Sequence, residues 1–339
     1  MTDIKTEGVA AKTAAPAPWK LLLMLVAMNG LAPVSLYILV PALPILAKTL
    51  GSDVSAVQLN VSLFMVGLAI SQLVTGSLSD RFGRRPVLLG GFGLAVIATI
   101  ICMFAETLPQ LIAGRFLQAL GSATGMVMSR AIIRDLYPGE RVGGMISLVI
   151  AVMMIAQLLS PLIGGLLETS FDWRAIFYFM AATSVIITAG IAMGLPETRP
   201  ERGSADQSGF FKDVRALSKS RVFFGYVLCQ MLASAIIFTF AGGGPYIVVN
   251  QMGRSTAEYG VWFASSGLAY LLGNLVSVRL SPRHGIDRMI WLGIALQIAG
   301  SVLNVIWGIT GLNQTPSWLF GTHMIVMFGN AFAMANASA

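Results

Sequence analysis

The stretch Gly76-Ser-Leu-Ser-Asp80-Arg81-Phe-Gly83-Arg84-Arg85-Pro86 lies between two long apolar runs and decides how the chain is read. Glycines, an acid and a cluster of guanidinium groups share one short connection. A loop that only anchors a membrane protein would explain the arginines, and Pro86 suits the first turn of the helix that follows. Anchoring does not explain Asp80, Gly76 or Gly83. A carboxylate and guanidinium groups at a helix junction form a pair that is made in one conformation and broken in another, which is the physical basis of a gate. The segment is therefore read as a gating loop, with Gly76, Asp80, Arg81, Gly83, Arg84 and Arg85 as its working residues.

The runs on either side belong to a series. Of 339 residues, 56% are hydrophobic and 11% charged, too few polar side chains to cover a soluble domain of this size. A helix needs about 20 mostly apolar residues to cross the hydrocarbon. Ten such runs follow one another: Trp19 to Ala47, Val57 to Ser79, Pro86 to Ala105, Leu108 to Ile132, Val142 to Leu167, Trp173 to Leu195, Phe223 to Val249, Tyr259 to Leu280, Met289 to Ile309 and Trp318 to the terminus. An all-α polytopic membrane protein is predicted. Lys5 and Lys12 precede the first run and Lys20 stands at its start, as they would in a signal peptide. Its apolar stretch is longer than an h-region of roughly 7–15 residues, so it is read as a retained helix behind a flexible cytoplasmic tail, 1–18.

Lysine and arginine set the orientation. One side collects Lys5, Lys12 and Lys20; Arg81, Arg84 and Arg85; Arg130, Arg134 and Arg141; Arg199, Arg202, Lys212, Arg215, Lys219 and Arg221; and Arg279, Arg283 and Arg288. The other side holds Lys48, Arg174 and Arg254. The amino terminus is therefore expected in the cytoplasm. The net charge of +7 reads as membrane orientation rather than nucleic-acid binding. The one long polar connection, 197–221, reads as a cytoplasmic linker between an amino-terminal six-helix bundle, 19–196, and a carboxyl-terminal bundle, 222–339. Four helices follow the linker where six precede it, and Ala331 to Ala339 carries no anchoring charge. Ten of an expected twelve helices are thus counted, with two more expected beyond Ala339. Arg283, Gly285 and Arg288, between the eighth and ninth runs, repeat the placing of Arg81, Gly83 and Arg85, as an internal duplication would.

Enzyme chemistry finds no support. Cys102 and Cys229 sit in apolar runs, where a lone thiol behaves as a small hydrophobe, and His284 and His323 are the only histidines. There is no metal-ligand spacing, no GxSxG and no phosphate-binding GxxxxGK[ST]. No cofactor and no metal are expected, and any work has to be driven by a gradient.

Taken with three further segments, the gating stretch resembles the loop signature of the major facilitator superfamily. Leu111-Ile-Ala-Gly-Arg115-Phe-Leu-Gln118-Ala-Leu-Gly121 resembles the fourth-helix motif of that family. Ala156-Gln-Leu-Leu-Ser160-Pro161-Leu-Ile-Gly164-Gly165 resembles its fifth-helix antiporter motif. Leu195-Pro196-Glu197-Thr198 resembles the end of helix six in the bicyclomycin/chloramphenicol-resistance branch of drug:proton antiporters. The resemblance covers the amino-terminal half. It implies the major facilitator fold, with two helix bundles rocking about a central site, and export of small amphipathic compounds in exchange for protons. It also implies a part in proton coupling for Arg115, and a sealing role for the helix-five motif of Ser160, Pro161, Gly164 and Gly165.

The residues themselves bear on these expectations. An intramembrane arginine is expensive and faces a wet cavity or a partner, unless its stem snorkels to the interface. Gln118, Ser122, Gly125 and Ser129 follow Arg115 at three- and four-residue steps, so one face of the helix is polar, and Arg115 and Gln118 are read as coupling and cavity residues. Pro161 frees a backbone carbonyl, and Gly164 and Gly165 thin the helix for a close neighbour. Asn29, Pro33 and Tyr37 form a polar stripe on helix one. Gln157, Tyr226, Gln230, Ser234, Tyr270 and Asn274 are further cavity candidates, each also explained by an interhelical hydrogen bond. The 18 methionines suit an adaptable pocket and equally fill gaps between helices.

One departure from the resemblance bears on mechanism. Where relatives place an aspartate before Pro-Ala-Leu-Pro, this chain has Tyr37, and no acid lies in the interior of any run. Asp80, Asp135, Glu168 or an acid beyond Ala339 remain as proton carriers. Two other readings stay open: a specific metabolite carrier or uniporter, favoured by the missing acid, and a non-transporting sensor or inactive fragment, favoured by the helix count. The expected partners are a small-molecule substrate, protons and the lipid of the inner membrane, with the protein as a monomer.

Overall fold

A computed structural model describes residues 18–137, 139–199, 221–311 and 315–337. Among these the regular elements are all helical, and ten spans are long and apolar enough to cross a membrane. They are α1 (Trp19–Thr49), α2 (Val54–Phe82), α3 (Arg84–Met103), α4 (Leu108–Leu136), α5 (Val142–Ser170), α6 (Trp173–Gly194), α7 (Phe223–Gln251), α8 (Thr256–His284), α9 (Ile286–Thr310) and α10 (Pro316–Asn336). Residues 1–17 of the expected tail, with Lys5 and Lys12, lie outside the described residues. So do 200–220 of the expected linker, with Arg202, Lys212, Arg215 and Lys219.

Several spans begin or end about a turn beyond the apolar runs, because capping is polar. Ser255 accepts the backbone N–H of Glu258 and starts α8 at Thr256 rather than Tyr259. Asp172 likewise accepts from Arg174 and Ala175 at the head of α6. Prolines interrupt α1: the α-helix ends at Ile38, a 3₁₀ turn covers Val40–Ala42, and helix resumes over Leu43–Thr49. After a run of glycines and Pro245, α7 widens into a π-helix at Tyr246–Gln251.

Two glycines turn the chain between successive spans. Gly83 ends α2 and opens α3 at φ 99°, ψ 159°, and Gly285 ends α8 and opens α9 at φ 82°, ψ 156°. Both lie where a side chain would be strained. α2 and α8 are each 29 residues long. The second turn thus repeats the first in length and geometry.

The α2–α3, α4–α5 and α8–α9 connections gather at one end of the molecule, the basic end, together with the end of α6 and the start of α7. The other connections form the far end. Helices α1–α6 pack on one another, α8 and α9 both pack on α10, and α5 against α8 is the main seam between the two groups. Three cores fill them. The third joins Leu36, Tyr37, Val40, Phe64 and Ala119 of the first group to Ala241, Val248, Tyr259, Phe263 and Phe320 of the second.

Candidate functional site

At the basic end the gating stretch is locked to two other helix ends. Arg84 sits on the first turn of α3, placed there by the Gly83 turn, and its side chain is 13% exposed. Its Nη1 donates to Asp80 at 2.7 Å and to Ser79 Oγ at 2.6 Å, and its Nε donates to Asp135 at 3.1 Å. Asp80 is 55% exposed and Asp135 only 10%, so the second pair carries the stronger desolvation constraint. Arg85 donates to the Ala192 carbonyl on α6, and Arg199 donates to the Arg81 carbonyl. The Arg81 guanidinium stands 5.3 Å from the Phe82 ring. Gly76 has open space where a Cβ would point, so packing does not demand a glycine there.

Glu197 completes this cluster, and the sequence reading did not place it here. Its carboxylate accepts the backbone N–H groups of Arg84, Arg85, Thr198 and Arg199 at 2.9 to 3.1 Å. Two of these are otherwise unpaired donors at the head of α3, where the helix dipole also favours an anion. Partial burial pushes the Glu197 carboxyl up, and the four backbone donors outweigh it and hold it below the usual carboxylate range. A Cβ on Gly83 would come within 2.7 Å of Glu197 Oε2, a second reason for glycine at the turn.

Arg115 is 1% exposed and does not snorkel. Its Nη1 donates to Gln118 Oε1 at 2.7 Å, Gln118 Nε2 donates to Thr99 Oγ1 at 2.7 Å, and the guanidinium stacks 4.2 Å from the Phe64 ring. The polar face of α4 is therefore closed by α2 and α3, and farther along by α1: a Cβ on Gly125 would meet the Met28 carbonyl at 2.1 Å. Arg115 and Gln118 do not border the central cavity: the Gln118 amide and the Phe64 ring take up part of the guanidinium, and its buried Nε has no hydrogen-bond partner among the described residues.

That cavity, about 330 Å³, lies between the two groups of helices. It is lined by Tyr37, by Ile150, Met153, Met154, Gln157 and Leu158 of α5, by Ser234, Ile237 and Phe238 of α7, by Phe263, Gly267, Tyr270 and Leu271 of α8, and by Met327 and Met334 of α10. Tyr37 stacks on Phe238 at 6.2 Å and contacts Phe263 at 6.0 Å. Of the expected cavity residues, Tyr37, Gln157, Ser234 and Tyr270 are on its wall. Asn29, Tyr226, Gln230 and Asn274 are not: Asn29 is buried in its helix packing, Tyr226 reaches Asp287 at 3.5 Å, and Asn274 bonds the Tyr270 carbonyl one turn back. No charged side chain is among the described lining residues. A bare positive charge at the centre of a membrane helix costs about 2.5–3.5 kcal/mol, and a desolvated cation–π contact offsets about 2.

The far end is sealed over this cavity. α5 and α8 touch at successive turns: a Cβ on Gly165 would meet the Thr256 carbonyl at 2.4 Å, one on Gly260 the Pro161 carbonyl at 2.6 Å, and one on Gly267 the Leu158 side chain at 1.7 Å. Gly164 is as close to α1, its Cβ position 1.8 Å from the Ile38 carbonyl. Ser160, in the same segment, is buried and bonds the Gln157 carbonyl. Thr256 Oγ1 reaches the Glu168 carboxylate, the Thr169 hydroxyl at 2.8 Å and the Gly165 carbonyl at 3.3 Å. Gln58 Nε2 donates to the Gly242 carbonyl, and Tyr246 donates to the Leu43 carbonyl, each at 3.3 Å. These bonds between the groups all lie at the far end. The α5–α8 seam stops at Leu158 and Gly267, and the cavity begins there, on the basic side.

Ten spans, a glycine turn repeated in both groups and a central cavity closed at one end meet a family model described as Major Facilitator Superfamily, which matches residues 25–339. The chain belongs to the Major Facilitator Superfamily. It is 31% identical over 250 residues to the Uncharacterized MFS-type transporter YdgK of Bacillus subtilis (strain 168), covering 73% of this chain and 62% of that protein. It is also 31% identical over 307 residues to the Chloramphenicol resistance protein of Pseudomonas aeruginosa, covering 88% of this chain and 72% of that one. The fold matches, with a TM-score of 0.74 at 18% identity over 96% of this chain and 75% of the other, a bacterial homolog to the human lysosomal transporter Spinster in an inward-facing, unoccupied conformation. Major Facilitator Superfamily members such as these are transporters rather than enzymes, and the all-helical, multi-pass membrane fold expected from the sequence is the one found. The cavity methionines and phenylalanines are the residues that sequence reasoning missed. The high methionine content was the signal, but it did not say which of them face one another.

Proposed function

We propose that this chain forms the path of a secondary transporter that exports small amphipathic compounds by alternating access. The observation that carries the reading is the cavity itself: a mostly apolar, methionine- and aromatic-lined space between two groups of helices, sealed at one end and leading away from the seal. The drug-resistance name of the Pseudomonas relative supports a drug-like substrate. In this reading 19–196 and 222–339 are the two moving bundles, 197–221 is their linker, and the protein works as a monomer in the inner membrane. The basic end and the amino terminus face the cytoplasm, following the distribution of lysine and arginine. The cluster of Asp80, Arg84, Asp135 and Glu197 holds the basic ends of α2, α3, α4 and α6 as one body, so that the bundle rocks as a unit. Arg115 supports the cavity wall from behind and tunes proton coupling through α4.

Efflux of a fluorescent amphipathic compound from cells, with and without the proton gradient, tests this. Gradient-dependent efflux that is lost in Arg115→Ala supports the exporter, and no efflux in any condition refutes it. A second reading, a carrier that is not coupled to protons, is favoured by the absence of an acid among the described lining residues. Efflux unchanged when the gradient is collapsed selects it.

A further inference from the structure

We infer that the cavity selects uncharged ligands, and that Gln157 with Ser234 sets this selectivity. The inference rests on the reading of this cavity as the transport site. The polar groups among its described lining residues are the Tyr37 and Tyr270 phenols, the Ser234 hydroxyl and the Gln157 amide, and each is neutral. Gln157 comes from α5 and Ser234 from α7, so the two bundles each contribute one. An amide offers both donors and an acceptor, which suits a ligand carrying carbonyl, amide or hydroxyl groups on an aromatic body. Met153, Met154, Met327 and Met334 supply polarisable walls that adapt to such a body.

Among the described residues, the formal charges of the lining helices lie toward their ends, away from the cavity wall. The formal charges of α1 are Lys20 and Lys48 at its ends, and those of α8 are Glu258 in its first turn and Arg279 and Arg283 toward its basic end, where His284 also stands. Glu168 of α5 is engaged in the far-end seal with Thr256. The charge that does lie deep in the protein, on Arg115 of α4, has the sign of a cationic drug. His323 of α10 is stacked on Phe240 at 3.4 Å and does not border the cavity. Tyr37, Phe238, Phe263 and Tyr270 give a cation aromatic faces, which offset only part of the cost of bringing it there. The balance favours the uncharged ligand by about two- to tenfold in affinity.

The test uses a pair of ligands that differ in charge alone: a fluorescent naphthamide bearing a tert-butyl group, and the same naphthamide bearing trimethylammonium. Equilibrium binding to the purified protein in nanodiscs, against empty nanodiscs, gives both affinities. The wild type is expected to bind the tert-butyl compound about two- to tenfold more tightly than its isostere. Gln157→Glu is expected to narrow or invert that ratio, with binding of the cation rising as pH rises while the wild type shows no such slope. Ser234→Asp places the carboxylate on the other bundle and serves should the first variant fold poorly. Equal or tighter binding of the cation by the wild type overturns the inference and leaves the transport site standing. A wild-type preference that neither carboxylate shifts by more than about threefold overturns the role of Gln157 and Ser234. Binding of neither compound above empty nanodiscs overturns the site itself, and the inference with it.

Discussion

Glu197 caps the head of α3 from 113 residues away, its carboxylate accepting the Arg84 backbone N–H at 2.9 Å. The bond ties the end of α6 into the Arg84 cluster, and it has a pH signature. The carboxyl is held below its ordinary value by the backbone donors. A depressed carboxylate contributes stability that is complete above the unfolded value, about 4.3, and is lost as pH falls through the lower folded value. The group is largely exposed, so the effect is modest, on the order of 0.5 kcal/mol. Glu197→Gln is expected to melt slightly below the wild type at pH 7.5, and the two curves are expected to converge as the pH is taken below 4. A gap that persists unchanged at low pH would show that the carboxylate charge is not the cause.

Arg84 has two acids, and they are not equivalent. Asp135 is nearly buried against it and Asp80 is half in water. Asp135→Asn is expected to cost about 1–3 kcal/mol of stability because it leaves a nearly buried guanidinium short of its partner, and Asp80→Asn less than about 1. A double-mutant cycle with Arg84→Gln measures each coupling. Equal coupling energies for the two acids would contradict the burial argument.

How much of this could be read without the structure depends on the length scale involved. The spans were legible because an apolar run bounded by polar residues is a local signal, and so was the Gly83 turn. Arg115 was read as a cavity residue, and neither its packing on Phe64 nor the Gln118–Thr99 bond beside it was legible, since both contacts cross between helices. Asp135 and Glu197 meet Arg84 over 51 and 113 residues, with no local pattern to announce the contact. The cavity wall was hardest. α5 is apolar around almost its whole circumference, so periodicity does not tell which of its methionines turn inward.

Gly164 offers a test of the helix-five segment with its own control. A Cβ there meets the backbone carbonyl of Ile38 at 1.8 Å, and backbone cannot turn aside as a side chain can. Gly190, in the interior of α6, has nothing within 4 Å of its Cβ position. Gly164→Ala is expected to lose 2 kcal/mol or more, in the range of an overpacked core, while Gly190→Ala is neutral or slightly stabilising. Thermal unfolding in detergent checks both. Tolerance of Gly164→Ala would mean that α1 and α5 are not pressed together as described.

Arg115 tests whether planarity or charge matters behind the cavity wall. Lysine keeps the charge but loses the flat face that lies on Phe64 and the Nη1 donor that reaches Gln118. Arg115→Lys is expected to retain folding while lowering efflux several-fold, and Arg115→Ala to abolish it and leave Gln118 Oε1 without its donor. Full efflux by Arg115→Ala would remove the residue from the mechanism.

The far-end seal is the part of the molecule that has to open, and Thr256 is where its bonds converge. Its hydroxyl, 3% exposed with the rest of the residue, reaches Glu168, Thr169 and Gly165 of the opposite bundle. Valine in its place keeps the volume and removes all three bonds, leaving the Glu168 carboxylate at the seam without its donor. The balance between sealed and open is then expected to shift by about 1–2 kcal/mol, a five- to thirtyfold change in the open population. A cysteine in place of Met154 on the cavity wall, in a Cys229→Ser background, reports this directly. An impermeant thiol reagent added on the far side is expected to label it slowly in the parent and at least fivefold faster with Thr256→Val. Glu168→Gln keeps an acceptor for the hydroxyl and is expected to fall between the two. If Thr256→Val leaves the rate unchanged, the glycine contacts alone hold the far end shut, and the opening motion has to begin by parting Gly165 and Gly260 from the backbones they touch.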